Sequence, residues 1–379
     1  MKAIVHDFKV IRPRFEGSQQ DFFEWLPRAH AQSDMTLGKP DATERYRKIL
    51  RRVGCDSSRI ETRGHDLNDF NHENWDEMEI FRVHENPAGV GMEVRMRTYA
   101  RHAGDIFEKF YASDLQAPSD LIHVTCTGYV SPSPAQRLVA SKKWGNQTLV
   151  THAYHMGCYA SFPALRIAQG FLNADLTKKR VDLVHTEICG LHLNTADHAL
   201  ENFVVQTLFS DGFIRYSMST ELPKTSGSGF EILGIHEEIL PNTEDAMSWI
   251  CGDHGMKMTL SKDVPAIVGK ALPEFIRRLA KPLQLSLEDI SSEAHFAVHP
   301  GGPKILDHVE EILCLRSEQI QVSREILRTH GNMSSATLPH IWEKLVNDVK
   351  VPAGALILSL AFGPGLTVCG ALLKKVASR

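Results

Sequence analysis

Two hydrophobic periods alternate along this chain. Apolar and β-branched runs predict strands at Ala3–Val10, Asp120–Thr127, Thr148–Tyr154, Val181–Ile188 and Phe213–Ser219. Apolar positions three and four apart predict helices at Asp21–Gln32, Thr43–Val53, Met92–Leu115, Ala135–Trp144 and Leu200–Leu208. A further helix carries Leu165, Ile167, Ala168, Phe171 and Leu172. Residues 54–90 follow neither period and read as a polar surface excursion. Leu222–Gly229, rich in Gly, Ser and Pro, is the clearest linker. After it come strands at Phe230–Ile235 and Met256–Leu260, a helix at Val264–Leu279 and a strand at Ala294–Val298. A helix at Lys304–Leu313, helices from Val322 to Val349 and two last strands complete the series. The alternation implies a layered α/β protein. Its order of elements is doubled without any residue-level repeat, which divides the chain into similar halves, 1–221 and 222–379.

Composition narrows this picture. With 42% hydrophobic and 23% charged residues over 379 positions, the chain reads as a soluble globular protein with a large core. A net charge of −4 leaves no global basic field to attract nucleic acid. The first residues, Met1-Lys2-Ala3-Ile4-Val5-His6-Asp7, carry charges too early for a secretory signal. From Val351 to Leu373 no residue is charged, and that length could span a bilayer. Pro352, Gly354, Gly363-Pro364-Gly365 and Gly370 interrupt it, however, so two buried strands joined by a Gly-Pro-Gly turn fit better than a membrane helix. The seven cysteines are odd in number and widely spaced, with no CxxC pair, which indicates neither a metal site nor a disulfide scaffold. Reduced thiols of a cytoplasmic protein are the expectation.

Three stretches carry the candidate chemistry. Gly157-Cys158 lies between a predicted strand and a predicted helix, where a tight turn and a helix dipole favour a thiolate. His299 leaves an apolar strand into Pro300-Gly301-Gly302-Pro303, and Asn332 sits in the small-residue turn Gly331-Asn332-Met333-Ser334-Ser335-Ala336. Strand C-termini are where α/β folds build their sites. Taken singly, each residue has a plainer reading: a core cysteine, a satisfied histidine, a helix-capping asparagine.

Taken together, the stretches resemble the type III polyketide synthases, the chalcone synthase-like branch of the thiolase superfamily. The resemblance rests on His299-Pro300-Gly301-Gly302-Pro303 with Ile305-Leu306, on the Asn332 turn, and on Phe362-Gly363-Pro364-Gly365-Leu366-Thr367. Leu208-Phe209-Ser210-Asp211-Gly212, Ile239-Leu240-Pro241 and Lys262-Asp263-Val264-Pro265 support it. It runs from about Leu121 to the C-terminus. The resemblance implies a five-layered αβαβα fold of two similar halves, a homodimer, and no metal or redox cofactor. It makes Cys158 the acyl-accepting nucleophile, held as a thiolate by His299. His299 and Asn332 would stabilise the enolate formed as malonyl-CoA loses carbon dioxide, and Phe209 would gate the cavity. The implied reaction is a decarboxylative Claisen condensation on an acyl-CoA starter.

Departures from the family pattern bear on specificity. Tyr159-Ala160-Ser161-Phe162 follow the nucleophile where glycines are usual, and Met258 stands near a second gate phenylalanine. Trp249 falls where plant members have a small cavity-floor glycine. Cys126, Thr127, Cys189, His192 and Ser334 would line the pocket. The basic face of the Thr43–Val53 helix offers Lys48, Arg51 and Arg52 to the phosphates of coenzyme A. A ketoacyl synthase III-like enzyme, making one condensation with an acyl carrier protein substrate, is the competing reading.

Overall fold

The computed structural model describes residues 2–378. The first half of the chain forms β1 (Ile4–Ile11), β2 (Phe15–Ser18), α1 (Gln19–Thr36), α2 (Thr43–Val53), β3 (Thr62–His65) and α3 (Met92–Phe110). It continues through β4 (Asp120–Thr125), α4 (Pro134–Ser141), β5 (Leu149–Tyr154), α5 (Ser161–Ala174), β6 (Val181–Glu187), α6 (Leu200–Leu208) and β7 (Gly212–Ser219). The second half forms β8 (Ser228–Ile239), β9 (Met247–Gly252), β10 (Gly255–Leu260), α7 (Val264–Ala280), α8 (Leu287–Glu293) and β11 (His295–Val298). It ends with α9 (Pro303–Ile312), α10 (Ser317–His330), α11 (Thr337–Asn347), β12 (Leu356–Gly363) and β13 (Thr367–Ala377).

Nine strands make one ladder, in the order β11-β12-β13-β8-β1-β7-β6-β4-β5. β1 is the seam. Ile4, Val5 and His6 pair with Ser219, Met218 and Ser217 on one side and with Glu231, Phe230 and Gly229 on the other. Each half-sheet buries both faces, and alternate residues go to different cores. In β4, Ile122 and Val124 join the central core while Leu121 joins the outer one; in β12, Ile357 and Ala361 face the centre while Leu358, Leu360 and Phe362 face outward. The central layer is built from α5 (Phe162, Leu165, Ala168, Leu172) and α11 (Leu338, Ile341, Trp342, Leu345). Outer layers come from α1 and α3 on one side and α7, α9 and α10 on the other. The result is the expected sequence of helix, sheet, helix, sheet and helix layers.

Trp342 holds the centre. It is 1% exposed, donates its indole N–H to Ser359 Oγ at 2.8 Å, and meets Phe162 and Tyr216 edge-on. Trp342→Ala is expected to cost about 3–5 kcal/mol, because the cavity lies between two sheets that cannot close on it. Chemical denaturation would register this as a lower midpoint; an unchanged midpoint would contradict the layer assignment.

One expectation is corrected. Residues 54–90 are no surface excursion: Ile60, Leu67, Met78, Ile80, Phe81 and Val83 are fully buried. The segment lacks a period because Asp69, not a ladder, organises it, accepting the backbone N–H groups of Glu79, Ile80 and Phe81 at 2.7–2.9 Å. Phe70 and Trp75 pack on Trp25 from the same segment. Met247–Gly252, to which the sequence reading assigns no element, pairs with Gly255–Leu260 as a hairpin. The uncharged stretch Val351–Leu373 contains β12 and most of its antiparallel partner β13. No helix among the described residues is long and apolar enough to cross a membrane.

Candidate active site

Parallel strands β4, β5 and β6 end on the same side, and their C-terminal residues deliver the site. β5 runs into a single 3-10 turn, Gly157–Tyr159, before α5. Gly157 has φ +75°, and a β-carbon there would lie 2.6 Å from Pro364 Cδ. Glycine thus lets the turn press against the β12–β13 connection. Cys158 emerges from it 8% exposed, its thiol directed to Ser334 Oγ at 3.8 Å. Burial pushes that thiol up to about 12 despite the Ser334 contact, and the nearby Glu187 charge acts in the same direction. Desolvation of the buried sulfur thus opposes the thiolate that a strand-to-helix turn favours.

Asn332 links the reactive segments. Its Oδ1 accepts the N–H of Ser334 at 2.9 Å, and its Nδ2 donates to Gly301 O at 3.3 Å. Its backbone pairs with the end of α6: Asn332 N–H donates to Leu208 O and Ser210 N–H donates to Asn332 O, both at 2.9 Å. Phe209 is thereby fixed beside it. His299 follows β11 at 1% exposure, its backbone N–H held by Leu360 O at 2.8 Å. Both ring nitrogens are buried without a hydrogen-bond partner among the described residues, and burial holds the imidazole down at about 3, hence neutral. Buried contacts run from the Cys158 thiol through Ser334 and Asn332 to Gly301. Gly301 lies two residues from His299.

A cavity opens in front of Cys158, walled by Cys126, Thr127, Cys189, His192, Phe209, Trp249, Met258 and Ser334. These are the sequence-derived pocket residues together with the gate. The β9–β10 hairpin forms one wall and is pinned inward. Trp249 Nε1 donates to Cys126 O at 2.8 Å, and Met258 lies opposite Trp249 in the hairpin. Met256 N–H donates to His192 Nδ1 at 3.1 Å, which leaves His192 Nε2–H to donate to Thr127 O at 2.8 Å. His192 is neutral, held down at about 3 by burial. Free space in the cavity is about 90 Å³, below the roughly 300–1,000 Å³ typical of drug-sized ligands. His299 and Asn332 do not form its wall; Asn332 packs directly behind Ser334 and Phe209.

Lys48, Arg51 and Arg52 lie exposed on α2, outside the cavity wall, and form no ion pair among the described residues. Arg47, from the same basic cluster, is committed to Glu24 and Glu44. The C-terminal end of α2 leads to Cys55, whose N–H donates to Thr207 Oγ two residues before Phe209.

Three residues at the site received no role from the sequence, although Asp211 lies in one of the motifs quoted for the resemblance. Arg63 is buried in the wall, caps α6 through Gln206 O and Phe209 O, and stacks on Phe22 with Cζ 3.9 Å from the ring centre. Asp211, raised to about 7 by burial, accepts the N–H groups of Asp66 and Gly190. Glu187, fully buried, ends β6. Only Glu187 had a visible signal: a carboxylate inside an apolar strand is rarely there without a partner.

Comparison with known proteins agrees with this geometry. Residues 231–377 match the C-terminal domain of chalcone and stilbene synthases. "Probable polyketide synthase 1" of Dictyostelium discoideum is 27% identical over 270 residues, which cover 71% of this chain but only 8% of that much longer protein. Among solved structures, the C-terminal type III polyketide synthase domain of Steely1, a type I/III hybrid from Dictyostelium, superposes with a TM-score of 0.83. Its identity is 22%, and coverage is 100% of both chains. PKS-I from the brown alga Ectocarpus siliculosus gives the same TM-score at 20% identity, covering 99% of this chain and 98% of its own. The second half of the chain is thus similar to the C-terminal domain of chalcone and stilbene synthases, and the whole chain has the fold of the type III polyketide synthase structures on which it superposes.

Proposed function

We propose that the chain condenses malonyl-CoA onto a short acyl starter carried as a thioester on Cys158, losing carbon dioxide at each extension. The observation that carries this reading is the buried run of contacts from Cys158 through Ser334 and Asn332 to Gly301, beside an imidazole with no other partner.

In loading, the Cys158 sulfur attacks the carbonyl of acyl-CoA. Its proton passes to His299 and then to the departing coenzyme A thiolate. Thiolate and imidazolium are each costly alone in this site, but formed together they offset one another's desolvation. Malonyl-CoA then loses carbon dioxide, and its thioester oxygen takes up negative charge. An imidazole N–H and the Asn332 amide are fixed donors suited to that charge, in a site from which water is excluded. The carbanion attacks the Cys158 thioester and expels the sulfur, leaving a β-ketoacyl-CoA longer by two carbons. Lys48, Arg51 and Arg52 would hold the phosphates of coenzyme A outside the gate. β5, a sheet edge with Leu149 exposed, suits pairing with a second copy in the homodimer expected of the family.

Small free volume and the pinned indole of Trp249 favour a short starter and few extensions. The same feature supports the second reading, a single condensation with starter or extender on acyl carrier protein. Mass spectrometry of products from coenzyme A and carrier-protein substrates separates the two: pyrone or resorcinol-type products from coenzyme A thioesters support the first, a single added two-carbon unit from the carrier protein the second. Trp249→Ala is expected to lengthen the product by at least one extension. An unchanged product range would mean that the indole does not limit chain growth.

A further inference from the structure

Arg63 is a buried cation with one edge of its guanidinium unused. β3 brings it inward opposite Gly17 of β2, and a β-carbon on Gly17 would lie 3.0 Å from the ring of Phe22, on which the guanidinium rests. Nη1 is spent on two carbonyls at the end of α6, donating to Gln206 O at 2.8 Å and to Phe209 O at 2.7 Å. Nε and Nη2 have no partner among the described residues, although the side chain is only 2% exposed. No ion pair to a carboxylate reaches it among those residues. Asp211, the acid whose charge it feels, spends Oδ1 on Gly190 N–H and Oδ2 on Asp66 N–H. Arg63 lies in the wall of the cavity that holds Cys158, and its stem sits against the asparagine turn, where a β-carbon on Gly331 would lie 3.0 Å from Arg63 Cγ.

We propose that Arg63 is a specificity-determining residue: its unpaired Nε–Nη2 edge receives the distal carboxylate of a short dicarboxylic acyl-CoA starter, so that an acid-bearing acyl group is loaded onto Cys158.

The chemistry of the edge selects this ligand. Nε–H and Nη2–H lie along one side of the guanidinium plane, spaced to donate to both oxygens of a single carboxylate. A buried guanidinium without a counter-ion is costly, and an arriving carboxylate relieves that cost while the two charges offset one another's desolvation. The carboxylate of the malonyl extender suits the edge poorly. Its charge must move to the thioester oxygen as carbon dioxide leaves, and a cation gripping the carboxylate would stabilise the ground state against that step. The phosphates of coenzyme A are separated from the reacting carbonyl by the whole pantetheine arm, for which a cavity of about 90 Å³ has no room. A carboxylate at the far end of a short starter meets neither objection. In loading, the bond from Cys158 sulfur to the acyl carbonyl forms as the bond from coenzyme A sulfur breaks. The thiol proton leaves on coenzyme A, and the distal carboxylate stays ionised and unreacted.

This assignment rests on Cys158 being the nucleophile, and the test keeps the two apart. The full chain is incubated with succinyl-CoA or butyryl-CoA, and with glutaryl-CoA or valeryl-CoA, pairs matched in carbon number. Acylation is timed by intact-protein mass spectrometry, and the modified residue is located by peptide mapping. In at least one pair the acid-bearing starter is expected to acylate Cys158 about tenfold faster or more at equal low concentration. Arg63→Lys keeps a charge but loses the paired donors, and should lower that ratio by about tenfold or more. Butyryl transfer detected in the variant shows that it has folded; should it not fold, the ratios in the unmutated chain decide. Equal rates in both pairs overturn the assignment, and so does a preference that Arg63→Lys leaves intact. A higher KM for malonyl-CoA decarboxylation in the variant, with the starter ratio unmoved, gives the edge to the extender and also overturns it. If no acyl group reaches Cys158, the function proposed above fails, and the starter assignment with it.

Discussion

Cys158→Ala is expected to abolish starter loading and condensation, by about 10⁴-fold or more, while malonyl-CoA decarboxylation remains measurable. The asymmetry comes from the division of labour. Loading needs a covalent bond to sulfur, and Cys126 and Cys189, which share the cavity, cannot substitute. Cys126 Sγ is engaged with both backbone polar groups of Gly157, and burial raises both thiols well above their ordinary range. In the proposed mechanism decarboxylation needs only donors for the enolate oxygen, which His299 and Asn332 would supply. Intact-protein mass spectrometry after incubation with acyl-CoA reads the first activity, and carbon dioxide release from malonyl-CoA the second. Acyl transfer surviving in the variant would remove Cys158 from the mechanism, and loss of both activities would show that the thiol also shapes the extender site.

Asn332→Asp is the second large effect. Aspartate retains an acceptor for the Ser334 N–H, so the turn and its pairing with Phe209 are kept. It replaces the amide donor with a group that is either an acid or an anion. Facing a developing enolate, an anion repels where the amide attracts. Decarboxylation and condensation should fall together by about 10²–10³-fold, the usual loss of one fixed donor. Acyl loading on Cys158 should be much less affected. Equal loss in loading would mean that Asn332 mainly supports the nucleophile turn, and unimpaired decarboxylation would remove it from enolate stabilisation.

Much of this architecture was legible because its strands are buried on both faces. A strand such as Leu356–Gly363 carries one polar side chain, Ser359, and the helices between such strands keep a clean period. The turns carrying Cys158, His299 and Asn332 stood out for a related reason: each places a reactive side chain among glycines, prolines and serines immediately after an apolar segment. Residues 54–90 were opaque because their burial is arranged by a single aspartate in irregular backbone, which leaves no period. Arg63 escaped for the same reason. The state of the Cys158 thiol was not legible either. A motif fixes which groups meet, whereas protonation depends on how completely the surrounding layers exclude water and on a carboxylate, Glu187, that lies 29 positions away in sequence.

Three residues of β1 have a consequence for how such a chain matures. Ile4, Val5 and His6 bond to Ser217–Ser219 on one edge and to Gly229–Glu231 on the other, partners far along the sequence from them. Closing loops of that size is slow. The intervening elements can gather their own helices and parallel strands, but β7 must have been synthesised before this strand finds either neighbour. Until then its unsatisfied amides are open to foreign strands. The interval is one in which a chaperone has the most to protect, and shielding would have to last until β8 has emerged.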